Sequence, residues 1–173
     1  MQKLSAEELL AQYNQGKRDF HGFDLSEISL FQANLQGIKL SESDLTRAYF
    51  PYADLSEANL QKTELSHSEM SDVTLYDANL TEANLVRVNL FRANLRYANL
   101  QGANLAYANL QGADLYHADL RNADLRFTDL SRANLEKALL TNAKLMGANL
   151  FRSRLADISK ALCDRATIGP EGY

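Results

Sequence analysis

The sequence predicts an all-β solenoid, a coil that turns a corner every five residues. Two columns and one exclusion predict it. At every fifth residue from Phe20 to Leu155 the 173-residue chain places a large apolar side chain: 25 Leu, two Phe (Phe20 and Phe50) and Met70 at 28 positions. Lys160 ends the run. Two residues before each of these centres stands a second column, Ala at 17 of the 28 positions and elsewhere mostly Ser, Thr, Val or Ile. The exclusion is geometric. A helix turns about 100° per residue, so a step of five drifts by about 140° and winds the leucines around its outside. A strand of period two sends alternate leucines to opposite faces. A corner every five residues buries both columns.

The unit reads A-(N/D)-L-x-x, as in Ala93-Asn94-Leu95-Arg96-Tyr97 and Ala98-Asn99-Leu100-Gln101-Gly102. Each corner sends one large and one small residue inward, the small one where neighbouring backbone segments crowd the interior. Asn or Asp precedes the centre at 19 of 28 units. These side chains satisfy local backbone groups and tolerate turn conformations. The two residues after the centre are expected to face water and vary freely.

This pattern resembles the pentapeptide-repeat family over about residues 18–157. Membership implies a right-handed quadrilateral β-helix with four pentapeptides, hence 20 residues, per coil. The 28 units then make about 7 coils. At a strand spacing of about 4.8 Å the rod would stand roughly 34 Å tall. Stacked coils should pair as a parallel ladder, with leucine over leucine.

The ends divide the chain into an N-terminal capping helix (1–17), the repeat β-helix (18–157) and a C-terminal cap and tail (158–173). Ser5-Ala6-Glu7-Glu8 reads as a capping box, with Ser5 at N-cap and Glu8 at N3. Leu9, Leu10 and Tyr13 form an apolar stripe and Gly16 suits C′, predicting a helix over 6–15 that covers the bottom of the stack. Without a cover the first coil would expose leucines and a pairing edge. At the top, Ala156–Ala166 is expected to form a short covering helix or turn, with Ile158, Ala161 and Leu162 turned down. Residues 167–173 read as a loose tail. Phe23, Ile28 and Ile38 stand where Ala is usual, predicting a locally wider first coil.

Composition narrows the function. A net charge of −4 and a pI of about 5.4 argue against a general binder of nucleic acid or anionic membranes. A single cysteine, Cys163, makes no internal disulfide and suits a reducing compartment. No apolar run reaches the roughly 20 residues of a membrane span. The first residues lack the apolar region of a signal peptide, so the expected location is cytoplasmic.

Nothing in the pattern converges on chemistry. His21, His67 and His117 fall at different corners and heights, and His67 with Glu69 alone makes no metal site. Asp114, Asp119, Asp124 and Asp129 occupy the structural Asn/Asp position of successive units. Nucleophile elbow and phosphate-binding loop motifs are absent. The reading is of a non-enzyme with no catalytic, cofactor or metal site.

Function is therefore sought in the outward residues. Steps of twenty collect Glu42, Lys62 and Glu82; Arg87, Tyr107 and Phe127; Tyr76, Arg96 and Tyr116; and Tyr97, His117 and Lys137. Further columns hold Phe31, Phe91 and Phe151, and Arg92, Arg132 and Arg152. Aromatics and arginines are enriched at interface hot spots, though such neighbours also stabilise a sheet without binding anything. Tyr76, Arg87, Arg96, Tyr97, Tyr107, Tyr116 and Phe127 form the candidate interaction surface. Charge is polarised along the chain: residues 1–86 carry 14 acids and 6 bases, net −8, and residues 87–173 carry 8 acids and 12 bases, net +4.

The expected role is a non-catalytic, rigid protein-interaction scaffold, monomeric or weakly homodimeric, with an unidentified protein partner and no direct contact to nucleic acid or membrane. The helix leading straight into repeats resembles small single-domain family members of photosynthetic bacteria. The family supplies an alternative, a DNA mimic that binds DNA gyrase or another type II topoisomerase. The basic upper half, the uninterrupted repeats and the short C-terminal segment depart from that branch.

Overall fold

The computed structural model describes residues 1–154 and 157–172. Its backbone repeats one motif at every unit. At Leu100, the amide donates to the Asp119 carbonyl at 2.8 Å, the Gly102 amide to the Arg121 carbonyl at 3.0 Å, and the Asn104 amide to the Ala83 carbonyl at 2.9 Å. Within the unit the Ala103 amide closes a turn onto the Leu100 carbonyl at 3.0 Å. One turn per five residues folds the chain, and parallel bridges join each unit to the one 20 residues on, from Asp19↔Lys39 through Asn134↔Arg154. Pairing is one residue per strand at a time, the arrangement expected of a β-helix with a corner at every unit.

Both inward columns are buried as the sequence predicts. The centres from Leu25 to Leu150 are essentially inaccessible, as are Ala48, Ala53 and most of the small column above them. At four of the five described positions where that column carries a hydroxyl, the hydroxyl donates to a backbone carbonyl: Ser43 to Phe20 at 2.9 Å, Thr63 to Leu40 at 3.0 Å, Ser68 to Leu65 at 2.8 Å and Thr128 to Leu105 at 2.8 Å. Those polar groups at the wall of the core are thus not left unpaired, which would cost more than the bond gains; the exception is Ser153 in the last regular unit, whose buried hydroxyl has no partner among the described residues.

The outward pair is less free than expected. The first residue after each centre is mostly half-buried, and Pro51, Ala106 and Ser131 are buried. The second is held at positive φ at every corner from 22 to 152: glycine at 22, 37, 102, 112 and 147, and elsewhere 22 non-glycine residues with φ between 53° and 62°. Each such residue occupies the left-handed region that L-residues ordinarily avoid.

The N-terminal helix α1 spans Ala6–Asn14. Its capping box is formed: the Ser5 hydroxyl accepts from the Glu8 amide at 3.2 Å and the Glu8 carboxylate accepts from the Ser5 amide at 2.9 Å. Gly16, at φ 98°, donates to the Tyr13 carbonyl while Lys17 donates to Gln12, closing the C-terminus as a Schellman motif. Leu9 and Tyr13 are buried on the stack, and the Tyr13 hydroxyl donates to the Gln36 carbonyl at 2.9 Å. Before the helix, Lys3 bridges Asp24 and Leu4 is buried, so the first residues add a partial rung beneath the repeats. Ile28 and Ile38 are buried and Phe23 lies edge-on to Phe20 at 6.3 Å. The twenty-residue register runs through these units unbroken.

The C-terminal expectation needs correction. Of the helix or turn expected over Ala156–Ala166, the described residues 157–166 form turns and a bridge and no helix; Ala156 lies outside them. Ile158 and Ala161 pack against the core, but Leu162 is 51% exposed because it pairs with Lys144, itself exposed at the outward position before a centre. Nor are residues 167–172 loose. Ile168 bridges Asn149, the Thr167 hydroxyl donates to the Leu145 carbonyl at 2.9 Å, and the Arg152 amide donates to Pro170 at 2.8 Å. The segment extends the stack with an irregular rung.

Candidate functional site

The outer frame is set by the residue before each centre. Its side-chain oxygen accepts from the amide two residues on, as in Asn94 with Arg96 at 3.2 Å and Asp114 with Tyr116 at 3.1 Å. Asp119, Asp124 and Asp129 make the same bond, which confirms the structural reading of that run. Amide side chains also link coils vertically: Asn109 to Asn89, Asn89 to Glu69, and Asn134 to Asp114, each near 2.9 Å. Corner side chains therefore project from a hydrogen-bonded frame with fixed spacing.

Two of the predicted columns merge into one patch. Tyr97 stacks flat on His117 at 5.3 Å and meets Tyr76 and Tyr116 edge-on at 5.5 and 6.1 Å. The Arg96 guanidinium lies 4.7 Å from the Tyr116 ring centre and pairs with Asp114 at 3.1 Å. That bond and the Asp114 charge hold Arg96 above its ordinary pKa. Lys137 donates to the Tyr116 hydroxyl at 2.9 Å, and that bond raises its pKa. Tyr76 and Tyr97 nevertheless remain 41% and 42% exposed.

Arg87, Tyr107 and Phe127 form a separate ladder. Tyr107 and Phe127 stack nearly parallel at 5.0 Å, and Arg87 lies 5.6 Å from the Tyr107 ring centre. The Phe127 ring extends over Gly147, where a Cβ would come within 2.5 Å of it. Tyr97 and Tyr107 are separated by half of a twenty-residue repeat, so the seven candidate residues divide between two corners with two turns between them.

Other columns behave differently. Phe31, Phe91 and Phe151 do not touch: Phe31 packs with Tyr49 and Tyr52 at 6.2 and 6.0 Å, an exposed trio that stepping by twenty could not reveal because it crosses columns. Phe91 and Phe151 sit beside their own neighbours Arg92 and Arg152. Arg92 pairs with Asp72 at 2.7 Å. Of the Glu42, Lys62 and Glu82 column, Lys62 and Glu82 approach to 3.8 Å.

The His21 ring nitrogen lies 2.9 Å from the Ser41 carbonyl. Partial desolvation, with the Asp164 carboxylate adding to it, pushes the Cys163 thiol above its ordinary pKa, away from thiolate chemistry. Among the described residues no group of His, Cys, Asp and Glu is placed to hold a metal, no pocket opens, and no helix is long and apolar enough to cross a membrane.

A coil built on a five-residue turn defines a class of protein, and sequence comparison agrees with the geometry. The family described as pentapeptide repeats matches residues 28–66, 53–90, 83–122 and 118–157 in 8 copies. The chain belongs to the pentapeptide-repeat family. It is similar to HetL, a pentapeptide repeat protein involved in heterocyst differentiation regulation from the cyanobacterium Nostoc sp. strain PCC 7120. The identity is 26% over 98% of this chain and 99% of HetL, with a TM-score of 0.56. Trypsin-treated QnrB1, a plasmid-mediated fluoroquinolone resistance protein, shares the fold at 17% identity over 85% of this chain and 80% of its own, with a TM-score of 0.58. No curated protein matches the chain.

Proposed function

We propose that the protein is a non-catalytic interaction scaffold of the cytoplasm, a right-handed four-sided rod of about seven coils that displays side chains at fixed heights. A turn every five residues and a bridge every 20 support the shape. The observation that carries the function is that exposed Tyr97, Tyr107 and Phe127 are ordered on a hydrogen-bonded frame, at 42%, 54% and 53% exposure. Rigid aromatics lose little conformational freedom on binding, the property that suits them to interfaces. The similarity to HetL along nearly the whole of both chains supports a regulatory rather than a metabolic setting. A mimic of duplex DNA would need acidic charge along its length, and the net +4 of residues 87–173 opposes that alternative.

The test is capture from lysate of the source cells with three baits: wild type, Tyr97→Ser/Tyr116→Ser and Tyr107→Ser/Phe127→Ser, each checked for unchanged folding. A protein retained by wild type and lost from one variant supports the scaffold and locates its face. Identical retention by all three baits, or none by any, contradicts it.

A further inference from the structure

The corner that carries Tyr97 has a sequence that reads as its own complement. Ascending one coil at a time, its left-handed position holds Glu57, Asp77, Tyr97, His117 and Lys137. Two acids stand below the central tyrosine and two nitrogen bases above it. Turned end over end, the column presents base where it had acid and keeps Tyr97 in place. We propose that this corner is the contact surface of an antiparallel homodimer, with Tyr97 of each copy on the two-fold axis. Glu57 then faces the second copy's Lys137, and Asp77 faces its His117. This rests on the reading of the Tyr97 corner as an interaction surface and names its partner as a second copy of this chain.

Three features of the structure favour this occupant. Among the described residues neither Glu57 nor Asp77 has an ion-pair partner within 4.0 Å, so both carboxylates are available. The adjoining column has the same symmetry: Tyr76, Arg96 and Tyr116 ascend in order, so Tyr76 meets the second copy's Tyr116 beside the central pair. Arg96 alone meets its own kind there, and its charge is already balanced by Asp114 at 3.1 Å and covered by the Tyr116 ring. Finally, antiparallel rods set the net −8 half of each chain against the net +4 half of the other, which a parallel pair does not. A closed two-fold contact of this kind uses one patch on both subunits and each pair in it occurs twice.

The contact is narrow. Four steps of about 4.8 Å make a strip roughly 19 Å long, less than the about 800 Å² per partner of a standard stable interface requires. Association should therefore be weak, concentration-dependent and sensitive to salt.

Sedimentation equilibrium of the full chain at low salt, from micromolar to millimolar concentration, tests this. Wild type should show a monomer–dimer equilibrium. Lys137→Glu should weaken it about tenfold or more, because each lost pair counts twice. Glu57→Lys combined with Lys137→Glu should restore it, since the swap rebuilds the same pairs in reverse. Tyr107→Ser, on the other corner, should leave it unchanged, and thermal melts of all variants separate folding effects from association. A wild type that stays monomeric to millimolar concentration overturns the dimer, as does association indifferent to Lys137→Glu or a swap that fails to restore it. If the monomeric outcome accompanies corner-dependent capture of another protein, the dimer fails and the scaffold stands.

Discussion

At Tyr97 the backbone holds φ at 62°, and Arg87, Glu57, His117 and Phe127 stand in the same left-handed conformation at their own corners. Such a conformation costs an L-residue on the order of 1 kcal/mol. It persists because the bonds around the corner allow no alternative: the amides of the centre, of the left-handed residue and of the next unit are all committed. The same constraint is why the corner side chain is displayed reproducibly. The glycines at this position separate backbone strain from packing. Gly112→Ala meets nothing closer than an Arg92 side-chain carbon at 3.6 Å, so it should lose only the conformational ease of glycine, about 1 kcal/mol. Gly147→Ala adds a Cβ 2.5 Å from the Phe127 ring and should cost about 1 kcal/mol more by displacing it from Tyr107. Chemical denaturation of both variants, with Gly147→Ala repeated in a Phe127→Ala background, checks this; the extra cost should vanish there. The inward leucines and the bonding role of Asn and Asp were legible in the sequence, because burial and turn chemistry restrict those residue types. The left-handed corner was not, because the frame imposes it on Arg, Glu, Tyr and Phe alike.

Among elements, helix α1 is the most legible part of the chain, since Ser5, Glu8 and Gly16 each have a capping role that depends on type and spacing alone. Removing the cap with Ser5→Ala should destabilise the protein by about 1 kcal/mol. Leu9→Ala, which empties a fully buried site between helix and stack, should cost about 2–5 kcal/mol. Comparison of the two melts shows whether the helix unfolds with the rod, as the Leu9 packing requires, or separately. The C-terminal rung escaped the sequence because residues 157–172 abandon the five-residue period: Leu162 bridges a residue 18 earlier and Ile168 one 19 earlier. The merged Tyr97 patch escaped for a related reason. The contacts that join its two columns link residues 21 apart, as in Tyr76 with Tyr97 and Tyr116 with Lys137, or 19 apart, as in Tyr97 with Tyr116, and so cross between columns that steps of 20 keep separate.

For the whole molecule, the frame's carboxylates link stability to pH. Bonds from Arg121 hold the Asp119 carboxyl below the ordinary range; at Asp124 desolvation opposes the shift, but the hydrogen bonds and charge of Arg126, with the Lys144 charge, together outweigh it. Groups with depressed folded pKa values contribute stability that is fully present above the unfolded value, about 3.9, and is lost as pH falls through the folded one. Asp119→Asn/Asp124→Asn keeps an oxygen for the backbone bond but removes the charge. The double variant should be slightly less stable at neutral pH and show a shallower loss of stability below about pH 4, read from melts across the acid range.

The five-residue register sends one side chain into the core and leaves the next at the surface, and the display of Tyr97, Tyr107 and Phe127 depends on it. Cooperative unfolding of Leu100→Lys beside Gln101→Lys, followed by far-UV circular dichroism, tests it most directly. Leu100 is fully buried and Gln101 only half-buried, on adjacent residues of one unit. Leu100→Lys should abolish the cooperative transition, because the ammonium has no partner in the core, whereas Gln101→Lys should melt close to wild type with an unchanged β-rich spectrum. Equal tolerance of both substitutions would contradict the register, and with it the assignment of Tyr97, Tyr107 and Phe127 to the surface.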